Sequence, residues 1–275
     1  MGTLYLVATP IGNLDDISAR ALRVLNEVEL IAAEDTRQTR KLLDHYQIRA
    51  PLISYHEHNK LTRLGDVLVA LAGGDVALVS DAGTPALNDP GYELVRATLA
   101  AGYMVSPIPG ACAPVAALVA SGLPTDSFLY LGYLPRRRSG RLSLLQEVAG
   151  LPYTLIFLEA PHRLRSALSD LRSELGDREV AVARELTKLY EEIIRGKLSD
   201  VIQHFDEYAP RGEFTLVVAG FHLTEENWSE ERLHDELRKR MDDGEPPAQI
   251  ASKLAIQSGW HRRDVYRLLN DIKNQ

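Results

Sequence analysis

The sequence contains a single cysteine, Cys112, among its 275 residues. One cysteine excludes an internal disulfide and a cysteine-rich metal site, and it fits a reducing compartment. Small neighbours, Gly110, Ala111 and Ala113, favour a packing role for this thiol over nucleophilic chemistry.

Long apolar runs are also missing. Charged residues, glycine or proline interrupt every apolar segment within about 10 residues, whereas a helix that spans a bilayer needs about 20. The sequence opens on the strand-like segment Thr3–Ala8, without a basic segment followed by an apolar one, so no signal peptide is expected. We therefore expect a cytoplasmic protein without a membrane segment.

Basic residues are not in excess, because 31 Lys and Arg stand against 38 Asp and Glu and give a net charge of −7. This balance argues against a protein whose whole surface binds nucleic acid. The densest basic segment is Pro135–Arg141, with four arginines and no acid. It predicts an anion-binding loop, with a solvated turn as the alternative.

Several catalytic motifs are absent. The dinucleotide motif G-x-G-x-x-G and the phosphate loop G-x-x-x-x-G-K-[ST] do not occur after the predicted strands, which disfavours a pyrophosphate site. The sequence also lacks the nucleophile elbow G-x-S-x-G, a zinc-binding spacing and a kinase catalytic loop. His56 and His58 alternate along an extended segment and therefore point to opposite sides, so a shared metal ion is not expected.

The first part of the chain alternates short apolar segments with segments of helical spacing, which predicts strands and helices in turn. Because the strand segments are apolar on both faces, they predict a sheet covered by helices on both sides. This pattern indicates an α/β domain over residues 1–113. Its predicted strands are Thr3–Ala8, Glu29–Ala33, Pro51–Tyr55, Val76–Asp81 and Met104–Ile108.

A second α/β domain with a mixed sheet is predicted over residues 114–222, entered through a helical bridge within 109–122. Two of its strands, Glu179–Leu186 and Glu191–Leu198, follow each other too closely for a helical crossover and predict an antiparallel pair. The other predicted strands are Phe128–Leu134, Tyr153–Ala160 and Glu213–Phe221, with helices at Leu142–Ala149 and His162–Leu175.

A small helical domain is predicted over residues 223–275, where charged and helical patterns replace the strands. Its three helices, Ser229–Met241, Pro247–Gln257 and His261–Ile272, have the spacing of a helix-turn-helix unit. The last helix carries Arg262 and Arg263. The sequence leaves two interpretations open, a helix that contacts nucleic acid and a packing appendix.

Three loops rich in small residues follow three of the first five strands, at residues 9–13, 80–85 and 109–113. The carboxyl ends of strands in an α/β sheet meet at one edge, where ligands bind. Glycine and alanine let the main chain approach a ligand closely, and proline fixes the turns. The loops therefore predict a pocket for a small molecule.

Polar segments follow the second and third strands, at Ala33–Arg37 and Ser54–Asn59. Their carboxylates, arginine and histidines can orient a polar substrate, while the alternative for the first segment is a helix cap with its counter-charge. In the second domain, Glu159–Arg163 and Arg184–Lys188 end strands with mixed charge, which is also compatible with structural pairing.

At these loops the sequence resembles the tetrapyrrole methylase family, whose members are S-adenosylmethionine enzymes with two α/β domains and the cofactor in the cleft between them. The similarity covers roughly the first 220 residues and, more loosely, the helical tail. The first loop, Thr9–Gly12, departs from the G-x-G-P-G form of members that act on tetrapyrroles and matches the branch that acts on ribosomal RNA. The matching segments are Leu6–Leu14, Ala33–Arg37, Tyr55–Asn59, Ser80–Leu87, Pro109–Ala111 and Glu159–Arg163.

This resemblance implies methyl transfer from S-adenosylmethionine to the ribose 2′-oxygen of a cytidine in the decoding region of small-subunit ribosomal RNA, by a homodimer that acts on the RNA or the 30S particle. It assigns the cofactor to Pro10, Asp81, Ala82, Gly83, Pro109, Gly110, Ala111, Leu158 and Ala183. It assigns proton removal to Asp35 or neutral Lys188. Substrate binding falls to Arg37, His56, Asn59, Arg184 and the phosphate-binding arginines Arg136, Arg137, Arg138 and Arg141, with Arg262 and Arg263 as further candidates.

Two other functions stay open at this point. The first is a methyltransferase of the same fold that acts on a tetrapyrrole or a protein side chain. The second is a regulator that senses a metabolite with its α/β part and binds nucleic acid with its helical tail.

Overall fold

The computed structural model describes residues 2–221, 228–243 and 245–273. The chain forms two compact units: unit 1 comprises residues 1–116 and 186–191, and unit 2 comprises residues 117–185 and 192–275. The predicted boundary between residues 222 and 223 lies outside the described residues, and the division into three domains stays a prediction. Within the described ranges, every helix is too short or too polar to traverse a lipid bilayer.

Unit 1 is built on a parallel sheet. Its strands are β1 (Thr3–Val7), β2 (Leu30–Ala33), β3 (Leu52–Ser54), β4 (Val76–Val79) and β5 (Met104–Ile108), in the order β3-β2-β4-β1-β5. All four pairings are parallel, with Leu4 opposite Val76 and Val105. The helices between the strands are α1 (Ala19–Glu27), α2 (Thr36–His45), α3 (Lys60–Gly73) and α4 (Tyr92–Ala100). The prediction of an α/β fold is confirmed.

Successive residues of a strand point to opposite faces, so each strand of unit 1 contributes to two apolar layers. In β4, Ala77 and Val79 pack in the layer that contains α1 and α2, while Val76 and Leu78 pack in the layer that contains α3 and α4. This double coverage explains why the strand sequences are apolar throughout.

Unit 2 contains a mixed sheet. Its strands are β6 (Phe128–Tyr133), β7 (Thr154–Glu159), β8 (Glu179–Arg184), β9 (Glu192–Lys197) and β10 (Phe214–Val218), in the order β6-β7-β10-β8-β9. The β6–β7 pair is parallel and the other pairs are antiparallel, so the predicted antiparallel pair β8–β9 is confirmed. Its helices among residues 113–207 are α5 (Ala113–Ser121), which begins in unit 1, α6 (Arg138–Val148), α7 (Leu164–Leu175) and α8 (Leu198–Glu207).

The helix α8 has no counterpart in the sequence prediction. The predicted strand extended to Leu198, whereas the structure ends β9 at Lys197 and starts the helix at Leu198. Asp200 caps this helix, because its Oδ2 accepts a hydrogen bond from the main-chain N–H of Lys197 at 3.1 Å. Leu198, Val201 and Phe205 form the buried face of the helix.

Within the described ranges 228–243 and 245–273, three helices follow β10, as predicted: α9 (Glu230–Asp242), α10 (Pro247–Ser258) and α11 (Arg262–Lys273). They share a small apolar core to which Leu237, Leu254 and Leu269 contribute. Gly259 ends α10 with a φ of +71°, a left-handed conformation that glycine adopts readily at a helix C-terminus. The chain then turns directly into α11.

The basic segment 135–141 is only partly a loop, because α6 begins at Arg138. Arg141 is buried, and its Nε donates to Asp170 Oδ2 at 2.8 Å, while Arg138 Nε donates to the other carboxylate oxygen at 3.0 Å. The expectation that Arg141 contacts RNA phosphates is therefore wrong, because its guanidinium is enclosed and already neutralised. Arg136 and Arg137 remain exposed.

We predict that Asp170→Ala lowers the free energy of unfolding by about 3–5 kcal/mol, because it leaves the Arg141 guanidinium buried without a counter-charge. The matched control is Arg138→Ala. Its side chain pairs with the same carboxylate but is 70% exposed, so the loss should stay below about 1 kcal/mol. Urea denaturation followed by circular dichroism measures both. Equal losses in the two variants would contradict the assignment of the stabilising contact to Arg141.

Candidate functional site

The loops that follow β1, β4 and β5 are joined at the carboxyl edge of the unit 1 sheet. Thr9 and Gly83 exchange two main-chain hydrogen bonds, at 2.9 and 3.0 Å. The hydroxyl of Thr84 donates to the carbonyl of Ala111 at 3.2 Å. The three loops that sequence analysis singled out therefore form one continuous rim, here called the unit 1 rim.

Close packing in the rim requires small residues. A Cβ at Gly110 would lie 2.9 Å from the Cβ of Ala8, so even alanine would force the main chain apart. Gly83 has a φ of +80°, and a Cβ there would lie 3.2 Å from a methyl carbon of Ile11. On the outer side of the same loops, Ala82 and Pro109 are exposed. The rim thus presents accessible main chain to a ligand.

A second set of hydrogen bonds connects the loops after β2 and β4. The Oδ1 of Asp81 accepts from the main-chain N–H of Asp35 at 2.9 Å, and the Oε2 of Glu34 accepts from the N–H of Asp81 at 3.3 Å. Each loop therefore supplies a carboxylate that orders the main chain of the other. This exchange fixes the Asp81 side chain, which is exposed beside Ala82.

Glu34, which belongs to the polar segment Ala33–Arg37, and Asp89, which no sequence pattern marked as a site residue, are half-buried carboxyl groups. Burial raises the pKa of Glu34, and the charges of Asp89, Asp81 and Asp35 raise it further. Burial also raises the pKa of Asp89, against the opposing effect of a hydrogen bond from Ser80. Their positions after β2 and β4 were the available signal, but the burial that changes their pKa values comes from tertiary packing.

Asp35 caps α2, because its Oδ1 accepts from the main-chain N–H of Arg37 at 2.8 Å. The Arg37 guanidinium also donates to both carboxylate oxygens, at 3.1 and 2.7 Å. These bonds lower the pKa of Asp35 to about 2. A carboxylate with so low a pKa is a weak base at neutral pH. The geometry thus favours the helix-cap alternative over Asp35 as proton acceptor.

Lys188 lies in the segment 186–191, which belongs to unit 1 although it connects β8 and β9. A Cβ at Gly12 would overlap the Cγ of Lys188 and would lie 2.9 Å from the hydroxyl of Thr187. The lysine stem therefore packs directly on the loop that follows β1. Thr187 has a φ of +66°, a conformation that a β-branched residue rarely adopts outside constrained sites.

His56 and Asn59 lie in the turn after β3. The Asn59 Oδ1 accepts from the main-chain N–H of His56 at 2.8 Å, and its Nδ2 donates to the carbonyl of Ser54 at 3.1 Å. The amide of Asn59 thus shapes its own turn, and its assignment to substrate stays a prediction. In contrast, the buried Nδ1 of His56 has no hydrogen-bond partner among the residues that the structure describes.

The cofactor residues predicted in unit 2 lie on the two strands that flank β10. Leu158 of β7 and Ala183 of β8 are both paired with Thr215 of β10, so the three share one row and one face of the sheet. Leu158 is partly exposed and Ala183 is buried. Arg184 donates to the carbonyl of Arg211 at 2.9 Å and to Glu192 at 3.1 Å, which engages much of its guanidinium within unit 2.

Comparison with protein families places this chain among enzymes that transfer methyl groups. Residues 3–202 match the family described as Tetrapyrrole (Corrin/Porphyrin) Methylases, and the chain belongs to this family. Within the described residues, no three His, Cys, Asp or Glu side chains are grouped so that they could hold a metal ion.

Among its relatives, the proteins named Ribosomal RNA small subunit methyltransferase I are similar over nearly their whole length. The protein of Synechocystis sp. is 51% identical over 278 residues, which cover 99% of both chains. That of Pseudomonas aeruginosa is 48% identical over 270 residues, or 96% of this chain and 95% of the relative. That of Bacillus subtilis is 45% identical over 272 residues, or 97% and 93%.

Solved structures confirm the predicted fold. Cobalt precorrin-4 methyltransferase has a TM-score of 0.60 and 17% identity, covering 79% of this chain and 94% of its own. Uroporphyrin-III C-methyltransferase from Thermus thermophilus, complexed with S-adenosyl homocysteine, has a TM-score of 0.54 and 21% identity, covering 79% and 97%. At these identities the similarity establishes the α/β architecture.

We predict that Glu34→Gln and Asp35→Asn respond to pH with opposite signs. The pKa of Glu34 is raised, so the wild type loses stability as the pH rises above about 4.5 and Glu34→Gln gains relative to it. The pKa of Asp35 is lowered from 3.8 to about 2, so the wild type gains stability as the pH rises from about 2 to 3.8. Asp35→Asn lacks this gain and becomes less stable relative to the wild type over the same range. Unfolding free energies measured from pH 2 to pH 7 test both signs. A common trend in the two variants would contradict the described geometry.

Proposed function

We propose that this chain is an S-adenosylmethionine-dependent methyltransferase that methylates the ribose 2′-oxygen of a cytidine in the decoding region of small-subunit ribosomal RNA. The observation that carries the proposal is the 48–51% identity to two proteins named for methylation of small-subunit ribosomal RNA, over at least 95% of every chain compared. The unit 1 rim supports it, since its geometry suits a small ligand with polar groups.

The residues of the unit 1 rim fit the cofactor. Ala82 and Pro109 are exposed at the rim, and Asp81 offers an exposed carboxylate whose position is fixed by Asp35 and Glu34. A carboxylate in this place accepts hydrogen bonds from hydroxyl or amino groups and favours a positively charged ligand. We assign the cofactor to Pro10, Asp81, Ala82, Gly83, Pro109, Gly110 and Ala111 in unit 1, and to Leu158 and Ala183 in unit 2.

The bound cofactor supplies a methyl group on a positively charged sulfur. The protein therefore has to orient the ribose hydroxyl, which contributes through proximity, and to remove its proton. A general base typically contributes a factor of about 10²–10⁴. We assign this proton to neutral Lys188, because its stem packs on the loop after β1, at Gly12.

RNA binding is assigned to side chains that remain accessible. Arg136 and Arg137 are exposed ahead of α6, and the Arg37 side chain is 87% exposed. Arg138 keeps an exposed guanidinium although it pairs with Asp170. Arginine suits this role because its planar guanidinium makes two parallel hydrogen bonds to a phosphate. His56 and Arg184 complete the proposed substrate set, with Arg262 and Arg263 of the last helix.

A homodimer in the cytoplasm belongs to the same proposal. Val115 and Val119 lie one turn apart on α5, with 46% and 68% of their surfaces exposed. Exposed apolar side chains on one helix face suit a subunit interface, and closed two-fold symmetry is the commonest arrangement of soluble oligomers. The molar mass by light scattering distinguishes a dimer from the 30.5 kDa monomer.

The decisive experiment measures tritium-methyl transfer from S-adenosylmethionine to 30S particles that lack the modification, followed by mapping of the labelled nucleotide. We expect a single labelled cytidine with the label on its ribose. Parallel reactions contain uroporphyrinogen III or protein-free 16S RNA. Transfer to the tetrapyrrole alone would replace the proposal with the other branch of the family, and binding without turnover would indicate a regulator.

We predict that Gly12→Ala weakens binding of S-adenosyl homocysteine by about 5- to 150-fold, because the added methyl overlaps Lys188 and overpacking of this kind costs about 1–3 kcal/mol. The matched control is Gly65→Ala in α3, where a Cβ meets no atom within 4 Å. That variant should bind normally and gain up to about 1 kcal/mol of stability from helix propensity. Isothermal titration calorimetry provides the affinities. Unchanged affinity in Gly12→Ala would show that the contact between Gly12 and segment 186–191 does not affect the cofactor site.

We predict that the double variant Arg136→Ala/Arg137→Ala binds 30S particles more weakly and with a lower salt dependence. Each lost phosphate contact reduces the slope of log K against log salt by about 0.7 for single-stranded RNA, so two contacts give about 1.4. The control is Arg20→Ala/Arg23→Ala, which removes two exposed arginines from α1. Filter binding across a salt series measures the slopes. An equal decrease in both double variants would show a nonspecific charge effect.

A further inference from the structure

A polar cleft of about 790 Å³ lies within unit 2, and of its lining residues only Arg262 and Arg263 have a role in the function proposed above. One wall is α11, and the other consists of the C-terminal ends of α6 and α7 with the following residues, including Gly150. Its volume lies in the range of ligand-binding pockets, which is about 300–1,000 Å³.

The wall formed by α11 is a regular polar face. Arg263, Tyr266, Arg267 and Asn270 follow one another at helical spacing, and all four are exposed and line the cleft. The opposite face of α11 is apolar and buries Leu269 against α9 and α10. The core of the three helices therefore fixes which side of α11 faces the cleft.

His261 adds a buried polar group to the same wall. It is only 8% exposed, lines the cleft, and its Nε2 has no hydrogen-bond partner among the described residues. Its ring contacts Phe221 with 4.2 Å between centroids. Burial, together with the nearby charge of Arg178, lowers the pKa of His261 to about 4. The ring is therefore neutral at pH 7, and its Nε2 is enclosed in the wall of the cleft.

The charges of the cleft are mixed. Arg262, Arg263 and Arg267 stand with Glu147, Glu174, Asp264 and Asp271 along the lining. Two of the carboxylates already have partners: Glu174 accepts from Gln146 at 2.8 Å, and Asp264 pairs with Arg267 at 3.3 Å. Because the lining has four carboxylates and three arginines, a small free anion would gain little from it. A ligand that carries both a charged backbone and planar polar rings matches this lining better than a small anion does.

The geometry points to a single-stranded segment of RNA as the occupant of this cleft. We propose that a base stacks on Tyr266, whose side chain is exposed, while Arg263 and Arg267 contact the flanking phosphates. The arrangement of α10 and α11 agrees with this, since the second helix of a helix-turn-helix contacts nucleic acid with its N-terminal residues. The cleft is concave, which suits a single strand better than a duplex. The inference rests on the proposed function only in identifying the strand as part of the substrate.

The test measures fluorescence anisotropy of a labelled eight-nucleotide uridine RNA with the full-length protein. We expect Tyr266→Ala to weaken binding about 10-fold or more, whereas Tyr266→Phe keeps the aromatic face and the affinity. Arg263→Ala should weaken binding and reduce the salt slope. The matched control is Arg238→Ala, an exposed arginine of α9 that does not line this cleft. Circular dichroism verifies that the variants are folded.

The outcomes separate this inference from the proposed function. If the wild type does not bind the RNA, or if Tyr266→Ala binds as the wild type does, the cleft assignment is overturned. If the RNA binds and responds to Tyr266→Ala but 30S particles are not methylated, the cleft assignment stands and the proposed function falls. Tighter binding of a duplex of the same length would also overturn the single-strand assignment.

Discussion

The two main-chain hydrogen bonds between Thr9 and Gly83 are the contact on which the candidate site depends. They join the loops after two neighbouring parallel strands and do so without side chains, so the exposed positions around them are free to serve a ligand. The conformation requires glycine at 83, because its φ is +80°. It also requires glycine at 110, since the loop after β5 packs against Ala8. Small residues here are consequences of close main-chain approach as much as of ligand binding.

Sequence patterns predicted ten strands, and the structure contains strands in all ten segments, because the apolar periodicity of a covered sheet is strong. The same patterns placed the three loops at one edge. They missed α8 because the predicted strand was extended through Lys197 to Leu198, and the hydrogen bond from the Lys197 main chain to Asp200 that caps the helix was not recognised. They also misassigned Arg141, since its partner Asp170 lies 29 residues away on another helix. The pKa of Glu34 depended likewise on Asp89 and Asp81, which lie far along the chain, whereas Arg37, which lowers the pKa of Asp35, is only two residues away from it.

Buried charges in unit 2 organise the segment that carries its exposed arginines. The carbonyl of Pro135 accepts from Arg141 at 3.3 Å and from Arg163 at 3.1 Å. Arg141 is held by Asp170, and Arg163 by Glu159 at 3.3 Å. The enclosed carboxylates therefore immobilise the main chain immediately before Arg136 and Arg137. Such preorganisation lowers the entropy lost when these arginines meet a phosphate. A buried ion pair contributes little net stability, but in this way it can position neighbouring side chains that bind a ligand.

The six residues 186–191 belong to unit 1 although about seventy residues of unit 2 precede them in the chain. Gly12 lacks a side chain where Lys188 and Thr187 approach it, so the loop after β1 is shaped to receive a distant part of the sequence. A gene fragment that ends near Ala116 would encode a sheet with an uncovered loop. Recombination between family members would therefore have to exchange the loop after β1 and segment 186–191 together. The boundaries of the units in the sequence do not by themselves reveal this dependence.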